Sequence, residues 1–145
     1  MRKARLTKIL IEGNRELLEQ FATQVEASAD LNLERSPRTG LVMMKTRDSV
    51  SRQPFYTGEV LVTECVVQVN GHYGMGVLMG EEPQKAYQIA LVDGAFNAKL
   101  PITEAWLPAL EKEEQYIEQK QQKEITRLSG SRVNFDTMED YNAKS

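Results

Sequence analysis

The chain has 145 residues, 41% hydrophobic and 27% charged, which is ordinary globular usage with room for one domain. A net charge of −3 and a pI near 5.3 argue against nucleic acid or an anionic membrane as the main partner. The single cysteine, Cys65, rules out an internal disulfide, no apolar run approaches the ~20 residues of a membrane span, and the basic N-terminus has too short an apolar run for a signal peptide. These features predict a soluble, cytoplasmic, single-domain α+β protein.

Residues 1–29 read as helix. Leu6, Ile9 and Leu10 share one face, Gly13-Asn14 interrupts, and Leu17, Leu18, Phe21 and Val25 then recur at three- and four-residue steps. Asn14 suits an N-cap, with Glu16 near the positive end of the helix it opens. A sheet is expected over residues 31–80. It comprises a short strand from Leu31 to Glu34 that Pro37 ends, a second strand from Leu41 to Arg47, a polar loop to Pro54, and a long strand from Phe55 to Val69. Asn70-Gly71 follows directly and predicts a type I′ turn, with His72 to Met79 returning antiparallel.

That turn fixes which residues share a face. One face carries Leu61, Thr63, Cys65, Val67 and Val69 against His72, Gly74, Gly76 and Leu78. The other carries Val62, Glu64, Val66 and Gln68 against Tyr73, Met75, Val77 and Met79. Both are substantially apolar, so something is expected to cover both sides, which asks for more helix than a chain this small is expected to supply alone. Pro83 opens a helix to about Asn97, and a second helix is expected over residues 108–128. The stretch Glu111 to Glu124 is nearly all polar apart from Tyr116 and Ile117, as in a helix that bridges solvent or docks on another chain. Ser129-Gly130-Ser131 is expected to end it. A docking tail over residues 129–145 follows, with Arg132, Val133, Phe135, Met138 and Tyr141 as interface candidates beside Tyr116 and Ile117.

Little in the sequence carries chemistry. His72 has no Cys or His at ligand spacing, which favours a surface or packing role over metal or acid–base work. Cys65 lies mid-strand among apolar neighbours and reads as a buried structural thiol. Gly74, Gly76 and Gly80 imitate a phosphate-binding loop, but they lie inside a hairpin strand, and Glu81 and Glu82 would repel an anion. Gly71, Gly74, Gly76 and Gly80 are therefore read as structural, Gly74 and Gly76 through close helix packing. Arg35, Arg38, Lys45, Arg47 and Arg52 form a basic patch, either a solvated rim or a surface for an anionic ligand or acidic subunit. Asp93 interrupts an apolar arc and either points outward or is hydrogen-bonded at an interface. With no catalytic, cofactor-binding or metal-ligating set in the pattern, the residues describe an interaction protein.

The run from Thr39 to Phe96, including TGLVMMKTRDSV and VNGHYGMGVLMGEEPQKAYQIALVDGAF, resembles the PhnG family, and Ser131 to Met138 (SRVNFDTM) resembles that family's C-terminal signature. Asp93-Gly94 departs from the Asp-Ala expected there. The resemblance implies an accessory, non-catalytic subunit of the bacterial carbon–phosphorus lyase core complex, with PhnH, PhnI and PhnJ as partners. It further implies that the assembly makes a ribose 1-phosphonate 5-triphosphate from ATP and an alkylphosphonate with release of adenine, the transferase chemistry lying in other subunits. No cofactor or catalytic residue carries over. The competing readings are a stand-alone α+β enzyme or ligand-binding domain using the Arg35–Arg52 patch and His72, and a homodimeric scaffold.

Overall fold

The computed structural model describes residues 2–47 and 54–144, with side chains described for 2–43 and 58–128. Its elements are, in order, α1 (Lys3–Glu12), α2 (Arg15–Ser28), β1 (Leu31–Arg47), β2 (Pro54–Val69), β3 (His72–Met79), α3 (Pro83–Asn97) and α4 (Ile102–Lys144). The fold is α+β, with the strands forming one antiparallel sheet in the order β1-β2-β3. None of the described helices is long and apolar enough to cross a membrane.

Each helix start has a local cause. Asn14 caps α2 by accepting a hydrogen bond from the Glu16 N–H at 2.8 Å. Pro83 occupies the first turn of α3, where its missing N–H is no loss. Asn70 anchors the sheet to the helices: its side chain accepts from the Asp30 N–H at 2.7 Å, and its own N–H donates to the Asp30 carbonyl at 2.8 Å. Asn70 and Gly71 sit between β2 and β3 with φ of 50° and 83°, in the left-handed region where these two residue types are least strained.

Two prolines behave differently from the sequence reading. Pro37 does not end a short strand, because β1 runs unbroken from Leu31 to Arg47. β1 is an edge strand, and its register against β2 shifts between Leu33 and Arg35 and again between Arg35 and Arg38, so the proline is absorbed in an irregular stretch of the ladder. Pro108 does not open the last helix but lies inside it, α4 having begun at Ile102. Trp106 and Leu110 are buried on either side of Pro108, so packing fixes the helix across the break. Nor does α4 stop at Ser129-Gly130-Ser131; it continues to Lys144.

The core lies between the sheet and the helices. α3 packs on β3 and β2 on one side and against α2 on the other. This placement explains why Ala86, Ile89, Ala90, Leu91, Val92 and Ala95 are all buried and why α3 has no polar stripe. The Trp106 ring stacks on Phe21 at 4.5 Å, tilts against Phe96 at 5.9 Å, and donates its indole N–H to the Gln24 side chain at 2.7 Å. An ion pair between Arg5 and Glu114 ties α1 to α4. Its hydrogen bond holds the Glu114 carboxyl below the usual carboxylate range.

Candidate interaction surfaces

β3 pairs with β2 from Val69↔His72 to Val62↔Met79, which divides the hairpin into two faces. The inner face is closed by α3, with Cys65, Val67, Val69 and Leu78 buried. Gly74 and Gly76 make that closure possible. A Cβ on Gly74 would collide with the Ala90 carbonyl oxygen; one on Gly76 would collide with that of Ala86 and fall 2.9 Å from the Ala90 nitrogen. These are contacts with helix backbone, so the strand and α3 approach as closely as main chains can.

Thr63, at the end of this face, is fully buried. Its hydroxyl donates to the Gly80 carbonyl and accepts from the Glu82 N–H at 3.1 Å, fixing the β3–α3 connection. Gly80 there has φ of 92°.

The outer face has no cover among the described residues. Tyr73, Met75, Val77 and Met79 are 57%, 54%, 40% and 72% exposed, although they form one continuous row on β3. Val62 and Val66 lie half-buried beside them on β2. Beyond the end of β3, β1 and β2 continue as a two-stranded ribbon, on which Leu41, Val42 and Met43 are also exposed.

Charge on this outer face lies on β1 and on Glu64 of β2, beside the apolar row. Arg35 and Arg38 both reach the same Glu64 oxygen, at 3.3 and 2.9 Å, and the hydrogen bond from Arg38 in particular holds the Glu64 carboxyl below the usual range. Gln68 donates to Glu34 at 3.2 Å. Of the sequence-defined basic patch, Arg52 and the side chains of Lys45 and Arg47 lie outside the described residues.

His72 pairs with Val69, on the inner-face register, and is exposed next to the turn. Arg35 and Arg38 sit on the opposite face, so the structure does not bring His72 and these arginines together. Cys65 is buried under α3, and burial pushes its thiol up, away from nucleophilic character. No group of three or more metal-ligating side chains is found among the described residues.

Asp93 accepts a hydrogen bond from the Met75 N–H at 3.0 Å, and Asn97 donates to the Tyr73 carbonyl at 2.7 Å. The residue that interrupts the apolar arc of α3 thus serves the free edge of β3. Sequence spacing had no means of showing this, because α3 reaches β3 only in the folded chain.

Tyr116 is exposed, whereas Ile117 is buried in the chain's own core, leaving Tyr116 as the available member of that pair. Both line a cleft of about 560 Å³ between the α1–α2 turn and α4, with Glu113 accepting from the Asn14 N–H at 2.9 Å. Ile125 and Leu128 are exposed further along α4. Arg132, Val133, Phe135, Met138 and Tyr141 follow on the same helix, with side chains outside the described residues.

The family model described as phosphonate metabolism protein PhnG matches residues 1–139. Over 65 residues the chain is 34% identical to a Rhizobium meliloti (strain 1021) protein, alpha-D-ribose 1-methylphosphonate 5-triphosphate synthase subunit PhnG. That match spans 44% of this chain and 42% of the relative's length.

Proposed function

The chain belongs to the PhnG family of phosphonate metabolism proteins, and from that premise we propose that it is an accessory, non-catalytic subunit of a carbon–phosphorus lyase complex. It supports formation of α-D-ribose 1-methylphosphonate 5-triphosphate from ATP and methylphosphonate, with adenine released, while ATP and phosphonate are bound by the assembly. PhnH, PhnI and PhnJ are its partner subunits. The observation that carries this reading is the bare outer face of the sheet. A chain of this size that closes one side of its sheet over glycines and leaves an unbroken apolar row on the other is built to be completed by something else. The relative's description as a synthase subunit agrees with it.

The end of α4 supplies a second contact. Arg132 to Tyr141 docks in a groove of a partner subunit, for which Val133, Phe135, Met138 and Tyr141 provide the apolar anchors. Co-expression with PhnH, PhnI and PhnJ followed by sizing tests the assignment. The expected result is a single complex containing this chain, with adenine release from ATP by the complex and none by the chain alone. Truncation after Leu128 is expected to leave the melting temperature of the isolated chain unchanged and to abolish co-purification with PhnI. Adenine release by the isolated chain that disappears on replacing His72 would overturn the subunit reading.

A further inference from the structure

We propose that the free edge of β1 between Arg38 and Met44 takes an added strand, an extended apolar segment of another subunit that pairs with it main chain to main chain. The inference rests on the subunit reading above and adds which edge is used and what form the partner takes there.

The two edges of the sheet differ. β3 forms one, where Asp93 and Asn97 already hold the Met75 N–H and the Tyr73 carbonyl. β1 forms the other. Its first part is poor ground for a new strand, because Pro37 has no N–H to donate and the register slips twice between Leu33 and Arg38. From Arg38↔Glu64 to Met44↔Gly58 the pairing then runs without a shift. Arg38 and Thr39 direct their side chains to Glu64 and Thr63 on β2, and among the described residues no side chain bonds to the main chain of this stretch. Alternate N–H and carbonyl groups therefore face outward as a template for pairing.

The same stretch lacks a third strand. β3 ends its pairing at Val62, so beyond that point β1 and β2 form a two-stranded ribbon, which is marginal by itself in water. Leu41 and Met43 point to one side of the ribbon and Val42 to the other, and all three are exposed, so no described residue closes either side. No charge falls between Arg38 and Lys45, and uncharged runs of this length at an exposed edge pair readily. The ribbon's other edge, on β2, fits less well. There the Leu61 carbonyl already accepts from the Gly80 N–H at 2.8 Å, and Thr57 is left out of the register between Met44↔Gly58 and Lys45↔Tyr56. A strand laid along β1 supplies what β3 supplies at the other end of the sheet, with apolar side chains on both sides to match Leu41, Val42 and Met43.

Amide hydrogen exchange of the isolated chain and of the complex formed with PhnH, PhnI and PhnJ separates an added strand from a covered face. Alternate amides between Arg38 and Met44, fast in the isolated chain, are expected to slow about 100-fold on assembly, while those bonded to β2 change little. A Leu41→Lys, Met43→Lys double variant should melt like wild type and assemble about ten-fold more weakly. Unchanged exchange at the outward amides of an intact complex overturns the inference and leaves the subunit reading standing. Protection already present in the isolated chain, and growing with its concentration, overturns it in favour of pairing between copies. If the wild-type chain enters no complex, the subunit reading itself falls, and this inference with it.

Discussion

The two faces of the β2–β3 hairpin come from the same strands with the same two-residue period, yet one is sealed and the other is bare. On β3 polarity does not separate them, since Gly74, Gly76 and Leu78 lie on one face and Tyr73, Met75, Val77 and Met79 on the other. Side-chain size on β3 does. The inner positions are Gly74, Gly76 and Leu78, and the glycines let the α3 backbone come into contact. The outer positions are Tyr73, Met75, Val77 and Met79, which hold a neighbour off at side-chain distance. Apolar alternation shows that a face avoids water; the sizes of its residues show whether the chain's own backbone closes it.

The contrast is sharpest where the inner face is attacked. Gly76→Val should exceed the ~1–3 kcal/mol usual for overpacking, because the obstacle is the Ala86 carbonyl rather than a movable side chain. A melt matching wild type would contradict this contact. Ile89→Ala, which empties a buried site on the helix covering that face, should cost ~2–5 kcal/mol by chemical denaturation. At the edge between the faces, Asp93→Ala should cost ~1 kcal/mol, the scale of one hydrogen bond, and speed amide exchange at Met75. On the outer face Val77→Thr should change the stability of the isolated chain by no more than ~0.5 kcal/mol. A larger loss would mean that the outer row is covered within the chain.

The smallest effect is electrostatic, and pH determines its sign. The folded carboxyl of Glu64 titrates below its unfolded value, so its contribution is present above the ordinary carboxylate range and disappears as pH falls through the folded value. Wild type and Glu64→Gln should therefore differ slightly in melting temperature at neutral pH and converge in acid.

Much of this architecture is legible in the residues. Gly13-Asn14 separates α1 from α2, Pro83 opens α3, and the glycine positions announce a close helix. What escaped was what tertiary packing overrides. Pro37 and Pro108 are strong local stop signals, but an irregular edge ladder accommodates the first and burial of Trp106 and Leu110 carries α4 through the second. The candidate surface was half legible, since both hairpin faces read as apolar, while the choice between them depended on where α3 landed. The roles of Asp93 and Asn97 were not legible, because each bonds to main chain rather than to a recognisable side-chain partner.

Those two residues bear on what happens when copies of the chain meet edge to edge. An open β-edge next to a row of sticky side chains is a template on which identical molecules add one after another into fibres. Asp93 and Asn97 occupy one donor and one acceptor on that edge, and they belong to α3, which cannot leave without unsealing the core. The chain can thus keep one face apolar while its β3 edge offers a new strand fewer free groups.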